Sequence, residues 1–122
     1  MNDRFTFRVW IKYSRKMAAV HVLNLDRERV IARLESNLYP EYQLHEVELM
    51  QCTGLKDKNG QLIFEGDILL IHDDEYGKIE FEEAGFRLTI DNVTSCLSEF
   101  YSYELEIAGN IYENPELLGI QG

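Results

Sequence analysis

The segment from Leu49 to Ile71 constrains the fold of this chain more than any other. It reads LMQCTGLKDKNGQLIFEGDILLI, in which two apolar runs flank a polar turn and a Gly-Asp pair leads into a third run. The dipeptide Asn59-Gly60 tolerates the positive φ of a tight turn. The pattern therefore predicts a hairpin that reverses between Leu55 and Leu62.

Several residues in and beyond this segment are predicted to fix turns. The run that starts at Ile68 is apolar without alternation, which is typical of a strand covered on both faces. Near the end of the chain, ENPELLG has the cap, proline and exit glycine of a single helical turn. The residues predicted to have structural roles in turns are Gly54, Asn59, Gly60, Gly66, Asp67, Asn114 and Pro115.

The remaining chain is rich in short alternating runs. Apolar and polar residues alternate with a period of two, which indicates half-buried strands. Gly-containing turns separate several of these runs, as expected for hairpins. The predicted strands are Phe5 to Ile11, Met17 to Leu23, Val47 to Met50, Ile79 to Phe81, Phe86 to Ile90 and Tyr103 to Ile107.

One segment, from Asp26 to Glu35, supports two predictions. Val30, Ile31 and Leu34 have helical spacing and Asp26 is placed to cap, so the pattern favours a short helix. Adjacent β-branched residues also suit a pleated sheet. A strand at Val30-Ile31 therefore remains the alternative.

These elements predict a mainly β fold, either all-β or β-rich α+β. Residues 49–122 are expected to form a small, strongly bent sheet or SH3-like barrel. Residues 1–48 are expected to add an N-terminal hairpin and the short helical segment. A chain of 122 residues is the usual size of one domain, so the two lobes are predicted to share one core.

Charge and cysteine content restrict the function classes. The chain has 22 acidic and 12 basic residues, for a net charge of -10. This charge repels phosphate backbones, so direct binding to duplex DNA is not expected. Cys52 and Cys96 lack a C-x-x-C spacing and are interpreted as reduced residues that pack as small apolar groups. No apolar run reaches the roughly 18 residues of a membrane span, so we expect a soluble intracellular protein.

The sequence predicts no catalytic, cofactor-binding or metal-binding residues. His72-Asp73-Asp74-Glu75 has the ligand types for a divalent cation, but adjacent residues in a turn point apart. A solvated acidic turn is the preferred interpretation. Asp57 to Gly60 is similar to the start of a calcium loop, but the other oxygen positions are absent.

The isolated titratable residues also lack a catalytic pattern. His21, His45 and His72 lie far apart, and no nucleophile motif such as G-x-S-x-G follows them. Glu80 and Glu82 are expected on an outward strand face, and a solvated face is the preferred interpretation over a paired acid and base. Trp10 also falls on the polar side of its strand pattern, and packing beneath a loop is the preferred interpretation.

Two blocks of the chain resemble the signatures of the YopX-like family of phage and prophage proteins. These blocks are QCTGLKDKNGQLIFEGDILLI and GNIYENPELLG. RFTFRVWIKYSRKMAAV and GKIEFEEAGFRL are similar to that family's hairpins, so the resemblance covers nearly the whole chain. Lys12 to Arg15 depart from the acidic and Asn/Gly residues common in the family's first turn. The resemblance implies a mainly β fold and a phage context, without an activity or catalytic residues.

Three functions of different classes are consistent with these observations. The leading hypothesis is a non-enzymatic accessory protein, in the cytoplasm of a bacterial host, that binds an unidentified host or phage protein. An acidic mimic of nucleic acid is the first alternative, and an enzyme with an unrecognised site is the second. Clustering of six carboxylates on one outer face would favour the mimic: Glu46, Glu48, Glu80, Glu82, Glu104 and Glu106.

The supply of strand edges and aromatic residues also predicts a homo-oligomer, most simply a dimer. In so short a chain the strands Phe5 to Ile11 and Tyr103 to Ile107 cannot all be central, and unpaired edges invite pairing with another chain. The aromatic residues expected to add interface are Trp10, Phe100, Tyr101 and Tyr103.

Overall fold

A computed structural model of the chain describes residues 6–72, 74–82 and 84–119. The fold is mainly β, as the sequence predicts, and its short helices are all of the 3-10 type. The strands are β1 (Phe7–Ile11), β2 (Lys16–Asn24), β3 (Arg29–Arg33), β4 (Glu41–Gln43), β5 (Val47–Lys56), β6 (Leu62–Phe64), β7 (Asp67–Ile71), β8 (Glu75–Glu82), β9 (Gly85–Ile90), β10 (Val93–Cys96) and β11 (Leu105–Asn110). The 3-10 helices are Glu35–Asn37, Leu44–Glu46, Leu97–Glu99, Ser102–Glu104 and Pro115–Leu118.

The described residues form two compact units, the N-terminal unit (6–51) and the C-terminal unit (52–119). Strand β5 continues from the first into the second. Each unit has its own cluster of buried apolar residues, so the single shared core stays a prediction. None of the helices in the described part of the chain is long and apolar enough to cross a membrane.

The N-terminal unit is an antiparallel sheet with the strand order β4-β3-β2-β1-β5. Strand β1 is central, because it pairs with β2 on one side and β5 on the other. Of the two strands that the sequence predicts cannot both be central, β1 is therefore the central one and β11 ends its sheet. Trp10 is only 5% exposed, and the Arg15 guanidinium carbon lies 5.8 Å from the centre of its ring. It is thus a packing residue, as preferred from the sequence.

The helix predicted between Asp26 and Glu35 is wrong, and the strand alternative is confirmed. Strand β3 pairs with both β2 and β4, and its Val30 and Ala32 are fully buried. Val30 and Ala32 are two residues apart, which places them on the same face of a strand. Pairing with two neighbours overrides the helical spacing, because β-branched side chains pack well on a pleated surface. The helical part of this region is limited to Glu35–Asn37.

The C-terminal unit contains the end of β5, paired with β6, and a sheet with the order β10-β9-β8-β7-β11. Within the described residues, β10 and β11 do not pair with each other, so the expected SH3-like barrel is an open sheet instead. The outer edge of β11 is already bonded. Its Leu105 carbonyl accepts a hydrogen bond from Lys58 N (2.9 Å), and its Ile107 N–H donates to Asp57 Oδ2 (3.0 Å). These bonds leave the edge unavailable for closure.

Strand β10 follows Ile90 and is not among the strands that the sequence predicts. Asp91 and Asn92 both have positive φ, 48° and 68°, and connect Ile90 directly to its partner Val93. This is the two-residue turn whose twist suits a hairpin. The dipeptide Asp91-Asn92 was the sequence signal for it, since Asn and Asp tolerate the left-handed region.

Candidate functional site

The hairpin turn between β5 and β6 is built around the carboxylate of Asp57, which is 3% exposed. Its Oδ1 accepts hydrogen bonds from the amides of Asn59 (2.9 Å) and Gln61 (3.0 Å), and its Oδ2 accepts the bond from Ile107. Gly60 has a φ of 80°. These three hydrogen bonds all come from backbone amides. The segment that is similar to a calcium loop is therefore a turn that attaches to β11.

The two glycines on either side of this hairpin also have positive φ. Gly54 (φ 84°) lies where the β5–β6 register shifts, which is typical of a bulge. Gly66 (φ 88°) donates to the carbonyl of Ile79 and accepts from the amide of Ile111, both at 2.9 Å. Asp67 Oδ2 accepts a hydrogen bond from Phe64 N (2.8 Å), so this buried carboxylate closes the turn before β7.

The end of the described chain is a second cluster of turn-forming amides. Asn110 Oδ1 accepts hydrogen bonds from the amides of Tyr112 (3.0 Å) and Glu113 (2.9 Å). Asn114 precedes the 3-10 helix, but its side chain makes no cap bond there. It accepts instead from Asn110 N (3.2 Å), which corrects the predicted cap. Pro115 is the first helical residue, as predicted.

The two signature blocks of the sequence thus contain the residues that hold the turns of the fold. Among the described residues, the buried polar side chains all fall within these two blocks, and each bonds to backbone groups. Such groups are costly to bury without partners, so their pairing specifies the turns that hold them. They are Thr53, Asp57, Asp67 and Asn110.

The His72 to Glu75 turn does not gather its polar groups into one site. His72 Nε2 lies 4.0 Å from Glu104 Oε1, whereas Asp74 and Glu75 line a different cavity. Asp73 lies outside the described residues. No group of three or more potential metal ligands occurs in the part of the chain that the structure describes.

The other titratable residues considered from the sequence lie in separate, local contacts. The ring of His21 is 4.8 Å from that of Tyr39, and His45 Nε2 is 2.6 Å from Gln43 Oε1. Glu80 lies 3.5 Å from Lys78 Nζ and directly opposite Arg87. These contacts are separate, so the histidines and Glu80 do not form a common site.

The two cysteines differ in their surroundings. Cys52 is fully buried, as expected for a small apolar group, and within the described residues neither cysteine forms a disulfide. Cys96 is half-buried, and its Sγ accepts a hydrogen bond from Arg87 Nη1 (2.6 Å). The sequence predicted only apolar packing for Cys96, and the structure adds this polar contact with a guanidinium.

An exposed aromatic pair is the most prominent surface feature of the C-terminal unit. The rings of Tyr101 and Tyr103 stack in parallel, with centres 5.5 Å apart and an interplanar angle of 7°. Their exposed fractions are 67% and 72%. The sequence grouped these residues with Trp10 and Phe100, but Trp10 is buried and Phe100 packs against the core cluster.

A cavity of about 240 Å³ lies beside Tyr103 of this pair. Leu70 lines it together with Tyr103, and its charged groups are paired: Lys58 Nζ lies 3.0 Å from Glu106 Oε1. Glu104 Oε2 accepts a hydrogen bond from Tyr101 N (2.8 Å). We call Leu70, Tyr101 and Tyr103 the tyrosine surface. The sequence named the tyrosines but gave no signal for their stacking.

Negative charge is concentrated in one part of the sequence. Residues 52–122 contain fifteen acidic and four basic residues, whereas residues 1–51 contain seven acidic and eight basic residues. The net charges are therefore -11 and +1, which together give the -10 of the whole chain. This asymmetry is visible in the sequence once the boundary at residue 51 is known.

The fold and its scaffold turns define a class of mainly β proteins with two antiparallel sheets. The family model described as YopX protein matches residues 6–119, so this chain belongs to the YopX family. This finding confirms the resemblance carried by the two signature blocks. A search of the curated proteins finds no match.

Solved structures with the same fold include two bacterial proteins. The crystal structure of protein EF1440 from Enterococcus faecalis is 28% identical, with a TM-score of 0.71, and the match covers 93% of this chain and 96% of that one. The crystal structure of protein yopX from Bacillus subtilis is 19% identical, with a TM-score of 0.63 and coverage of 100% and 98%. The second likeness shows the fold alone. Neither description states an activity.

Proposed function

We propose that this chain is a non-enzymatic accessory protein that acts by binding another protein through the tyrosine surface. The observation that carries this proposal is the stacked, exposed pair Tyr101 and Tyr103. Tyrosine rings are enriched at interfaces, because they bury a large area with few rotatable bonds to order. Stacking holds the two rings before a partner arrives, which reduces the entropy that binding must offset.

The surroundings of the pair also favour docking over catalysis. Of the carboxylates in the adjoining cavity, Glu106 is paired with Lys58 and Glu104 bonds a backbone amide. A general acid or base needs a group free to exchange a proton with a substrate. The phage or prophage setting that the family resemblance implies is part of this proposal, with a host or phage protein as the partner.

A capture experiment with matched variants tests the proposal. The full chain, a Tyr101→Ser/Tyr103→Ser double variant and a Tyr13→Ser variant would each be immobilised in extract of the bacterial host. Tyr13 is a suitable control because its side chain is fully exposed and lies in the N-terminal unit. Proteins retained by the wild type and by Tyr13→Ser, but not by the double variant, are then purified for affinity measurement.

We expect the double variant to weaken the affinity for the purified partner at least about tenfold, which is the effect of losing a hot spot of roughly 1.4 kcal/mol. The same set of retained proteins with the same affinity for all three forms would contradict the proposal.

An acidic mimic of nucleic acid remains a second candidate, favoured by the net charge of residues 52–122. The negative charge that such a mimic needs is partly neutralised, because four of the six glutamates named for it lie within 4.0 Å of a basic side chain. These are Glu48, Glu80, Glu104 and Glu106, whose neighbours are Lys12, Lys78, His72 and Lys58. Competition by duplex DNA for the captured partner would favour the mimic, and its absence would favour the tyrosine surface.

Direct binding to duplex DNA is not part of the proposed function. The net charge opposes the release of counterions that drives such binding. Fluorescence anisotropy with a labelled duplex is expected to show no binding at physiological salt. Salt-sensitive binding tighter than about micromolar would contradict this and would implicate Arg27 and Arg29, which line a cavity of about 260 Å³ in the N-terminal unit.

We also propose that the protein self-associates, through a strand edge other than the two that the sequence suggested. Strand β1 is paired on both sides, and the outer edge of β11 is bonded to the hairpin turn. Strand β10 is the other edge of the sheet in the C-terminal unit, so it is the edge we assign to a dimer contact. Light scattering at micromolar concentration should give a mass above 14.3 kDa. A monomer mass throughout would contradict it.

A further inference from the structure

The largest of the cavities described here has an apolar floor. It has a volume of about 450 Å³ and lies within the C-terminal unit, where the 3-10 helix Pro115–Leu118 adjoins β8 and where β9 contributes Thr89 and Ile90 to the lining. Ile90, Leu117 and Leu118 supply aliphatic side chains to it, and all three are half-buried. The aliphatic part of a partner's side chain would gain free energy by covering such a surface.

The rim of the same cavity is acidic. Asp74, Glu75 and Asp91 line it and are exposed, and within the described residues none of the three has an ion pair. Among the described residues of the lining, the basic side chain is Lys78, whose ammonium lies 3.5 Å from Glu80. The charge of these carboxylates is therefore not neutralised locally, and a concave surface of one sign concentrates counterions.

An apolar floor beneath a carboxylate rim matches the two parts of a long basic side chain. Arginine and lysine bury their methylene groups on apolar surfaces and keep the charged head at the edge. A guanidinium can also form paired hydrogen bonds with a carboxylate. We propose that this cavity binds an arginine or lysine side chain, within an apolar peptide segment, of the protein partner.

The inference rests on the proposed function and specifies the chemistry of that partner. At this rim, charge complementarity selects a basic peptide, because the carboxylates of a second copy and the phosphates of a nucleic acid would both be repelled by the rim carboxylates. The dimer contact assigned to β10 is a separate contact, which uses the backbone groups of a strand edge. The cavity is also adjacent to the tyrosine surface. Tyr76 lines the cavity, and Tyr76 is the direct cross-strand partner of Leu70.

The probe for the test is the synthetic peptide acetyl-Gly-Leu-Arg-Leu-Gly-amide, titrated into the ¹⁵N-labelled full chain. Two control peptides replace the arginine by citrulline, which keeps the shape without the charge, or by glutamate. Amide shifts are expected at Ile90, Asn92 and Leu117, with the arginine peptide bound at least about tenfold more tightly than citrulline, in line with a charge-assisted contact. Equal binding of the arginine and citrulline peptides, or shifts confined to other residues, would overturn the proposal.

Matched variants assign the rim carboxylates. Asp74→Asn/Asp91→Asn should weaken the arginine peptide at least about fivefold, as expected when a charged contact becomes neutral. Asp91 has positive φ, which asparagine also tolerates, so the turn is preserved. Asp26→Asn, at an exposed turn of the N-terminal unit, should bind the peptide as the wild type does. Unchanged affinity in the double variant, with a wild-type amide spectrum elsewhere, would overturn the assignment of the rim.

The two proposals fail in different ways. If the tyrosine double variant loses the captured partner while Asp74→Asn/Asp91→Asn retains full affinity for it, the proposed function stands and this inference is wrong. If neither double variant affects the partner while the arginine peptide still binds the cavity, the tyrosine surface is wrong and the basic specificity of the cavity stands.

Discussion

The two units of this protein differ in the polarity of their buried side chains. In the C-terminal unit, four buried polar side chains bond to the backbone of turns and neighbouring strands. In the N-terminal unit, the buried residues of the described part are apolar, and Val9, Val30 and Ala32 are the most deeply buried members of their cluster. The C-terminal unit therefore depends on specific hydrogen bonds to a degree that the N-terminal unit does not.

This difference explains where the recognisable sequence blocks lie. A cluster of aliphatic residues tolerates many exchanges that conserve volume, so it leaves little signature in a sequence. A buried carboxylate that accepts three amide bonds allows no such exchange. Asp57, Asp67 and Asn110 all lie in the two signature blocks, and those blocks therefore identify the fold without identifying a chemistry.

The largest test of this comparison removes the carboxylate of Asp57. Asp57→Ala leaves the amides of Asn59, Gln61 and Ile107 without their acceptor, and unsatisfied groups of this kind are expensive. We expect the free energy of unfolding to fall by about 3 kcal/mol in urea denaturation. Asp26→Ala, at an exposed turn of the N-terminal unit, is the matched control. Equal effects of the two substitutions would break the comparison.

A second test uses packing at Gly77 in β8. A Cβ at this position would lie 2.8 Å from Ile90 Cγ1 and Leu88 Cδ1, and Leu88 is fully buried. Gly77→Ala should therefore destabilise the protein by about 2 kcal/mol through overpacking. At Gly85 nothing lies within 4 Å of a built Cβ, so Gly85→Ala is the control. If thermal melting shows the same stability for both variants, close packing does not explain the glycine at position 77.

A third test concerns the predicted hairpin turn. Gly60 has φ 80° and open space around a built Cβ, so a substitution there is opposed by backbone strain alone. Gly60→Val should cost on the order of 1 kcal/mol or more. Gly85→Val is the control, because its φ is not in the left-handed range. Wild-type melting of Gly60→Val would show that the turn relaxes to another type.

Most strands were predictable because alternation and turn residues are local signals. The Asn59-Gly60 hairpin, the bulge at Gly54 and the central run after Gly66-Asp67 all follow from residues close in sequence. The errors arose where distant contacts decide. The segment from Asp26 to Glu35 is a strand because two neighbours pair with it, and β11 has a bonded edge because a turn fifty residues earlier reaches it.

The candidate surfaces were less accessible to sequence analysis for the same reason. Tyr101 and Tyr103 are two residues apart, and they stack where Tyr101 precedes the 3-10 helix Ser102–Glu104 that contains Tyr103. The cavity that we assign to a basic side chain joins Asp74, Ile90 and Leu117, which only the folded chain brings together.

The smallest expected effect is a gain in stability, which is opposite in sign to the loss expected for Gly60→Val and so sharpens the comparison. Glu28 closes the β2–β3 turn of the N-terminal unit with φ 53°, a left-handed conformation like that of Gly60. Glu28→Gly removes a strain of roughly 1–2 kcal/mol, whereas the added freedom of glycine in the unfolded chain costs roughly 0.5–1 kcal/mol. The net result should be a gain of about 0.5 kcal/mol in urea denaturation. Glu41→Gly, in β4, loses the same charge without relieving strain and should destabilise. If Glu28→Gly also destabilised the protein, the left-handed residue in this turn would be held by its side chain and not merely tolerated.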